Sequence, residues 1–113
     1  MVVCPSLYEP CCIISLEAMA MGKPVIVGSK GICGSCDQII PSGHEQTGVH
    51  VDGSSKADIA WGINSLLEDP EGAREMGKRG RMRVEKYFSW EKAAELTIAI
   101  YEDVIREAEY EKK

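Results

Sequence analysis

The chain has 113 residues, enough for one domain or a piece of one, and 44% of them are apolar, as in an ordinary globular protein. A net charge of −5 argues against a general nucleic-acid binder, which needs an excess of Lys and Arg to neutralise phosphates. No uninterrupted apolar run approaches the ~20 residues that span a bilayer, and no charged segment precedes an apolar one as in a secretory leader, so a cytoplasmic chain is expected.

Val2-Val3-Cys4 is a short apolar run stopped by Pro5-Ser6, which predicts a buried strand. A helix follows from about Cys12 to Met21 and should stop at Gly22, a residue suited to a helix C-terminus. Lys23-Pro24 restarts the chain, and Val25-Ile26-Val27 is a second β-branched run. Strand, helix and strand in so short a span predict a right-handed βαβ unit with parallel strands. Residues 28–34 form a loop at the carboxyl end of the second strand, the side on which open α/β sheets bind ligands. Val49-His50-Val51 predicts a short third strand after the polar stretch 42–48.

Three helices finish the sequence. Ser55-Lys56-Ala57-Asp58 resembles a capping box, and Ile59, Ile63, Leu66 and Leu67 keep helical spacing. Asp69-Pro70 restarts a helix with Pro at its first position. Ala73, Met76, Val84 and Phe88 mark its expected buried side; Arg74, Lys78, Arg79, Arg81, Arg83 and Lys86 mark the other, expected to be a solvated face diluted by Glu71, Glu75 and Glu85. Ser89 caps the last helix, whose expected inner face is Trp90, Ala93, Ala94, Thr97, Ile98, Tyr101, Val104 and Ile105. From Arg106 the tail is charged and expected to fray.

The stretch from Tyr8 to Pro24 organises the rest. Between Ile13 and Met21 only Ser15 and Glu17 are polar, and a helix apolar nearly all round predicts burial. A carboxylate there is costly unless something hydrogen-bonds it. Side chains lean toward a helix's N-terminus, so Glu17 would reach back toward the turn that carries Glu9. The N–H groups near Cys11, Cys12 and Ile13 would point to the same place and favour an anion. Two carboxylates beside an anion site suit a ligand with several hydroxyls and a phosphate, as a nucleotide sugar has.

Five cysteines are many for this length. Cys4, Cys11 and Cys12 lie in apolar context, where free Cys acts as a small hydrophobe. Cys33-Gly34-Ser35-Cys36 has the spacing of a redox or metal half-site. A thioredoxin-like site would start a long helix, whereas Pro41 limits this one to a turn or two. A zinc site would have to borrow the adjacent Cys11 and Cys12, which rarely ligate one ion together. Reduced thiols with no metal are the expectation.

Read as a whole, the chain resembles the C-terminal part of GT-B-type retaining glycosyltransferases, the group that includes glycogen and sucrose synthases. The matching residues are Pro5-Ser6-Leu7-Tyr8-Glu9-Pro10, then 16–25 from Leu16-Glu17-Ala18-Met19 to Gly22-Lys23-Pro24-Val25. Thr47-Gly48-Val49, the Leu66-Leu67-Glu68-Asp69-Pro70 run and Phe88-Ser89-Trp90-Glu91 continue it. The resemblance implies an α/β fold: a partial Rossmann-like domain, with two or three parallel strands and four main helices, over residues 1–113. It implies that Glu9 contacts donor-sugar hydroxyls, that Glu17 holds the ribose, and that backbone N–H groups at Cys11, Cys12 and Ile13 face the diphosphate. No catalytic residue, metal or cofactor is expected within this chain. Where the family commonly has an aromatic residue and then Gly after Glu-Pro, this chain has Cys11-Cys12, and Cys12 departs from a Gly that lets backbone approach a phosphate. The resemblance further implies that an N-terminal acceptor domain and the first half of the donor domain, with its basic pair, are missing. The chain is then expected to be inactive alone, with a sheet edge open to self-association. A standalone binding module of the same fold, or a thiol or zinc protein built on Cys33 and Cys36, are the alternatives.

Overall fold

The computed structural model describes residues 1–110. Three parallel strands, β1 (Val2–Cys4), β3 (Val25–Gly28) and β5 (Gly48–Val51), form a sheet in the order β1-β3-β5. A second parallel pair, two residues each, joins β2 (Tyr8–Glu9) to β4 (Ile32–Cys33). Among the described residues there are five helices: α1 (Ile13–Ala20), α2 (Ser35–Gln38), α3 (Lys56–Glu68), α4 (Pro70–Tyr87) and α5 (Trp90–Tyr110). The fold is α/β, with short parallel sheets flanked by helices, as expected from the β-branched runs.

The central strand β3 is buried along its whole length, and its alternation divides the core in two. Val25 and Val27 face Ala18, Met19 and Ile39. Ile26 faces the other way, with Val49, Val51, Leu66, Ala73 and Met76. Helix α4 closes both halves by packing against α1 and α3.

Helix ends follow local chemistry. Gly22, at φ +66°, ends α1, and the N–H groups of Met21, Gly22 and Lys23 bond the carbonyls of Glu17, Met19 and Ala18. Ser55 accepts from the Asp58 N–H at the start of α3, and Asp69 accepts from the Gly72 N–H at the start of α4.

Expectations for three of the helices need correction. Helix α1 is not buried all round: only Ser15, Ala18 and Met19 are, while Ile13 and Ile14 are 62% and 59% exposed. On α4, Ala73 and Met76 are buried with Gly77 and Gly80, but Val84 is only half-buried and Phe88 is exposed. The expected inner face of α5 covers nothing: none of its residues is buried, and Trp90 is 89% exposed. The helix also runs through Arg106 to Tyr110 instead of fraying there; the last three residues lie outside those described. At 21 residues α5 gives the molecule its 63 Å long dimension. Among the described residues no helix is long and apolar enough to cross a membrane.

Candidate functional site

The loops after β1 and β3 meet at the carboxyl ends of the strands. Their approach is set by glycines. A Cβ at Gly28, Gly31 or Gly34 would lie 2.0–2.1 Å from the carbonyl oxygens of Ser6, Leu7 and Pro10 respectively, closer than any side chain allows. The Gly34 N–H donates to the Glu9 carbonyl at 2.8 Å. Residues 28–34 therefore lie backbone to backbone against residues 6–10, and the β2–β4 pair is part of that seam.

The chain turns from this seam into α1. Cys12 takes the N-cap position, is buried, and offers no side-chain hydrogen bond to the helix; the first turn also holds no acidic residue. Ile13, Ile14 and Ser15 therefore begin a helix whose first N–H groups no side chain caps. Cys11, Ile13 and Glu17 open onto one groove of about 590 Å³, whose far wall is Tyr87, Phe88 and Trp90 at the α4–α5 corner. Glu17 is exposed on this groove, so the burial cost expected for it does not arise.

Glu9 and Cys12 do not line this groove. Glu9 is half-buried near Cys4, whose thiol is pushed up to about 11, first by burial, then by the Cys12 thiol and the Glu9 carboxylate. The five sequence-predicted site residues thus fall into two groups, Cys11, Ile13 and Glu17 on the groove and Glu9 and Cys12 beside Cys4.

A polar cluster behind the first turn of α1 escaped the sequence reading. Ser15 and Gln38 are 0% and 3% exposed. The Ser15 hydroxyl lies within hydrogen-bond reach of both the Cys12 carbonyl, at 2.7 Å, and the Gln38 Oε1, and shares its single proton between these two acceptors, while Gln38 Nε2 donates to Cys11 Sγ at 3.6 Å. Arg83 on α4 donates from Nε to the Gln38 carbonyl at 2.7 Å and from a terminal nitrogen to the Asp37 carbonyl at 3.1 Å. Arg79 donates to the Gln46 carbonyl at 2.8 Å. Two of the six bases expected to form a solvated face are thus turned inward as backbone ties. A polar residue inside an otherwise apolar helix, Ser15, was the only sequence signal for this cluster.

At the carboxyl ends of β3 and β5, Lys30 bonds the Asp52 carboxylate, which with the Ser54 hydroxyl and N–H holds that group down to about 2. The Lys30 charge is therefore already paired. All five cysteines are free. Cys33 Sγ lies 2.7 Å from Ser35 Oγ, and Cys36 donates to the Gly28 carbonyl at 3.3 Å. Burial and then the neighbouring Cys33 push the Cys36 thiol up, away from the thiolate that redox chemistry uses. Among the described residues no three metal-ligating side chains gather.

Parallel strands with loops gathered at their carboxyl ends define a Rossmann-like α/β unit of the kind found in GT-B glycosyltransferases. Residues 1–83 match the family described as "Glycosyl transferases group 1", and the chain belongs to that family. It is 40% identical over 106 residues to the alpha-maltose-1-phosphate synthase of Mycolicibacterium smegmatis, covering 90% of this chain and 27% of that one. It is 33% identical over 99 residues to the glycogen synthase of Mycobacterium tuberculosis, covering 88% and 23%. Among solved structures, sucrose-phosphate synthase from Thermosynechococcus elongatus superposes with a TM-score of 0.78 at 39% identity, over 93% of this chain and 25% of that chain. The chain spans about a quarter of the length of these relatives.

Proposed function

We propose that this chain is the donor-binding half-site of a retaining glycosyltransferase, a C-terminal piece of the donor domain that binds a nucleotide-diphosphate sugar. The observation that supports this most is the uncapped first turn of α1, opening with Glu17 onto one groove. In this reading the N–H groups at Cys11 to Ile13 face the diphosphate, Glu17 holds the ribose hydroxyls, and Glu9 contacts the sugar. Relatives some four times longer supply the acceptor domain and the remaining half of the cleft.

The isolated chain is inactive in this reading. Glycosyl transfer needs a stabilised diphosphate leaving group and an acceptor held in line. Glu9 and Glu17 position a donor but neutralise no phosphate, and Lys30 is committed to Asp52. Hydrogen bonds to charged groups contribute about 1.5–3 kcal/mol each. Association costs at least about 4 kcal/mol in lost freedom, which leaves millimolar affinity or none. Titration of common nucleotide sugars, followed by amide shifts over residues 11–17, tests this. Weak binding lost in Glu17→Ala supports the ribose contact. Micromolar binding with detectable transfer overturns the claim of inactivity, and shifts confined to another face overturn the site. The outer edge of β1 is also open to pairing with a second chain, which sedimentation would detect as concentration-dependent mass.

A further inference from the structure

We propose that Gln38 is a positioning residue for the phosphate-facing turn of α1; this rests on the donor-site reading above. Gln38 sits at the end of the single-turn helix α2, 23 residues beyond Ser15, yet its side chain ends behind the first turn of α1. Its amide touches that turn twice, at the Ser15 hydroxyl and at Cys11 Sγ, and so spans the residues on either side of the Cys12 cap. The Ser15 hydroxyl shares its one proton between Gln38 Oε1 and the Cys12 carbonyl, which brings the three groups together behind the turn.

No side chain of α1 caps this turn, so its orientation depends on what lies behind it. Gln38 is itself held from the far side, because both terminal carbonyls of α2 accept from the Arg83 guanidinium. The resulting chain runs from α4 through α2 to the turn that would meet a diphosphate. A fully buried amide that only filled space would cost stability without purpose, since an apolar side chain of the same shape avoids desolvation. What the amide adds is direction. It holds the Cys11 thiol and, beside Ser15, the turn at Cys12, the position where this chain lacks the glycine common in its family.

The test is Gln38→Leu, with Ser15→Ala as a second variant should the first fail to fold. Amide hydrogen exchange in the ligand-free chain is read at Leu16 and Glu17, the first N–H groups with partners inside α1, and at β3 as an internal reference. The expected result is about fivefold faster exchange at Leu16 and Glu17, as for one lost buried hydrogen bond, with β3 unchanged. The double variant should do no more than the stronger single one, because both act through one link. Equal acceleration at β3, or none at α1, overturns the positioning role. Inorganic pyrophosphate is then titrated against amide shifts at residues 12–14. Affinity about fivefold weaker in Gln38→Leu supports the inference, and affinity within twofold of the parent overturns it. Pyrophosphate shifts confined to another face sink the donor-site reading, while the exchange comparison still decides whether Gln38 holds the turn, even where the parent chain binds pyrophosphate too weakly to measure.

Discussion

Gly77 lies on α4 where that helix crosses the turn after α1, and replacing it by Ala should destabilise the chain against the usual helix rule. An ideal Cβ there would lie 2.2 Å from the Gly22 carbonyl oxygen and 2.9 Å from its carbon. Carbon and carbonyl oxygen settle at about 3.3 Å, so the turn or the helix must retreat by about 1 Å. The obstacle is backbone, and no rotamer relieves it. Overpacking of this kind costs about 1–3 kcal/mol. Removing a glycine from a helix interior returns about 1 kcal/mol. Because the obstacle is backbone, the cost falls in the upper part of that range, about 2–3 kcal/mol, and the contact wins with a net loss of about 1–2 kcal/mol. Gly80→Ala, three residues on, is the control: its Cβ would meet Met19 Cγ at 3.4 Å, an ordinary contact, so propensity wins and stability rises by about 0.5–1 kcal/mol. Urea unfolding followed by far-UV circular dichroism measures both. A Gly77→Ala chain as stable as the parent would refute the reasoning, because it would mean that α4 and the α1 turn are not in contact.

Arg83→Ala removes both guanidinium ties to the end of α2 and should cost about 1–3 kcal/mol in urea unfolding; Arg83→Lys should recover only part, since an ammonium cannot reproduce the fork. Burial pulls the His50 imidazole below its usual range, and its Nε2 has no partner among the described residues. The unfolded chain therefore takes up a proton below about pH 6.5 that the folded chain refuses, so stability should fall as pH drops through that value and level off once the folded imidazole also protonates. His50→Gln should abolish that slope in urea midpoints; an unchanged slope would assign it to other groups. Removing residues 90–113 should alter core stability by less than about 1 kcal/mol, since no residue of α5 is buried, and loss of cooperative unfolding would contradict this.

Much of the fold was legible because its signals are local. The β-branched runs at Val2 and Val25, the glycine after Met21, and the caps Ser55 and Asp69 each state their structure within a few residues, and all were found where expected. What escaped depends on partners far along the chain. The β2–β4 pair is two residues long and too short to show periodicity. Arg79 and Arg83 looked like surface charges because the carbonyls they bond are 33 and 45 residues away. The apolar circumference of α1 predicted burial, yet part of it lines a groove that this chain leaves open. For the candidate site, the sequence put Glu9, Cys11, Cys12, Ile13 and Glu17 together; Cys11, Ile13 and Glu17 share one groove and Glu9 and Cys12 do not line it, whereas Gln38 lay in a stretch with no pattern to mark it.

The seam between residues 6–10 and 28–34 has a bearing on how this chain came to differ from its relatives. Three carbonyls pressed on three glycines leave no thickness for a side chain between the two strips. The strips are thus located by main chain alone, and the side chains they carry are passengers on a fixed rail. Substitution at Cys33, the one cysteine within the two strips, changes a side chain without moving the rail itself. Change in such a side chain is therefore tolerated, whereas a single added methyl at Gly28, Gly31 or Gly34 would part the strips. In this corner of the fold, ancestry is expected to be written in the glycines and novelty in their neighbours.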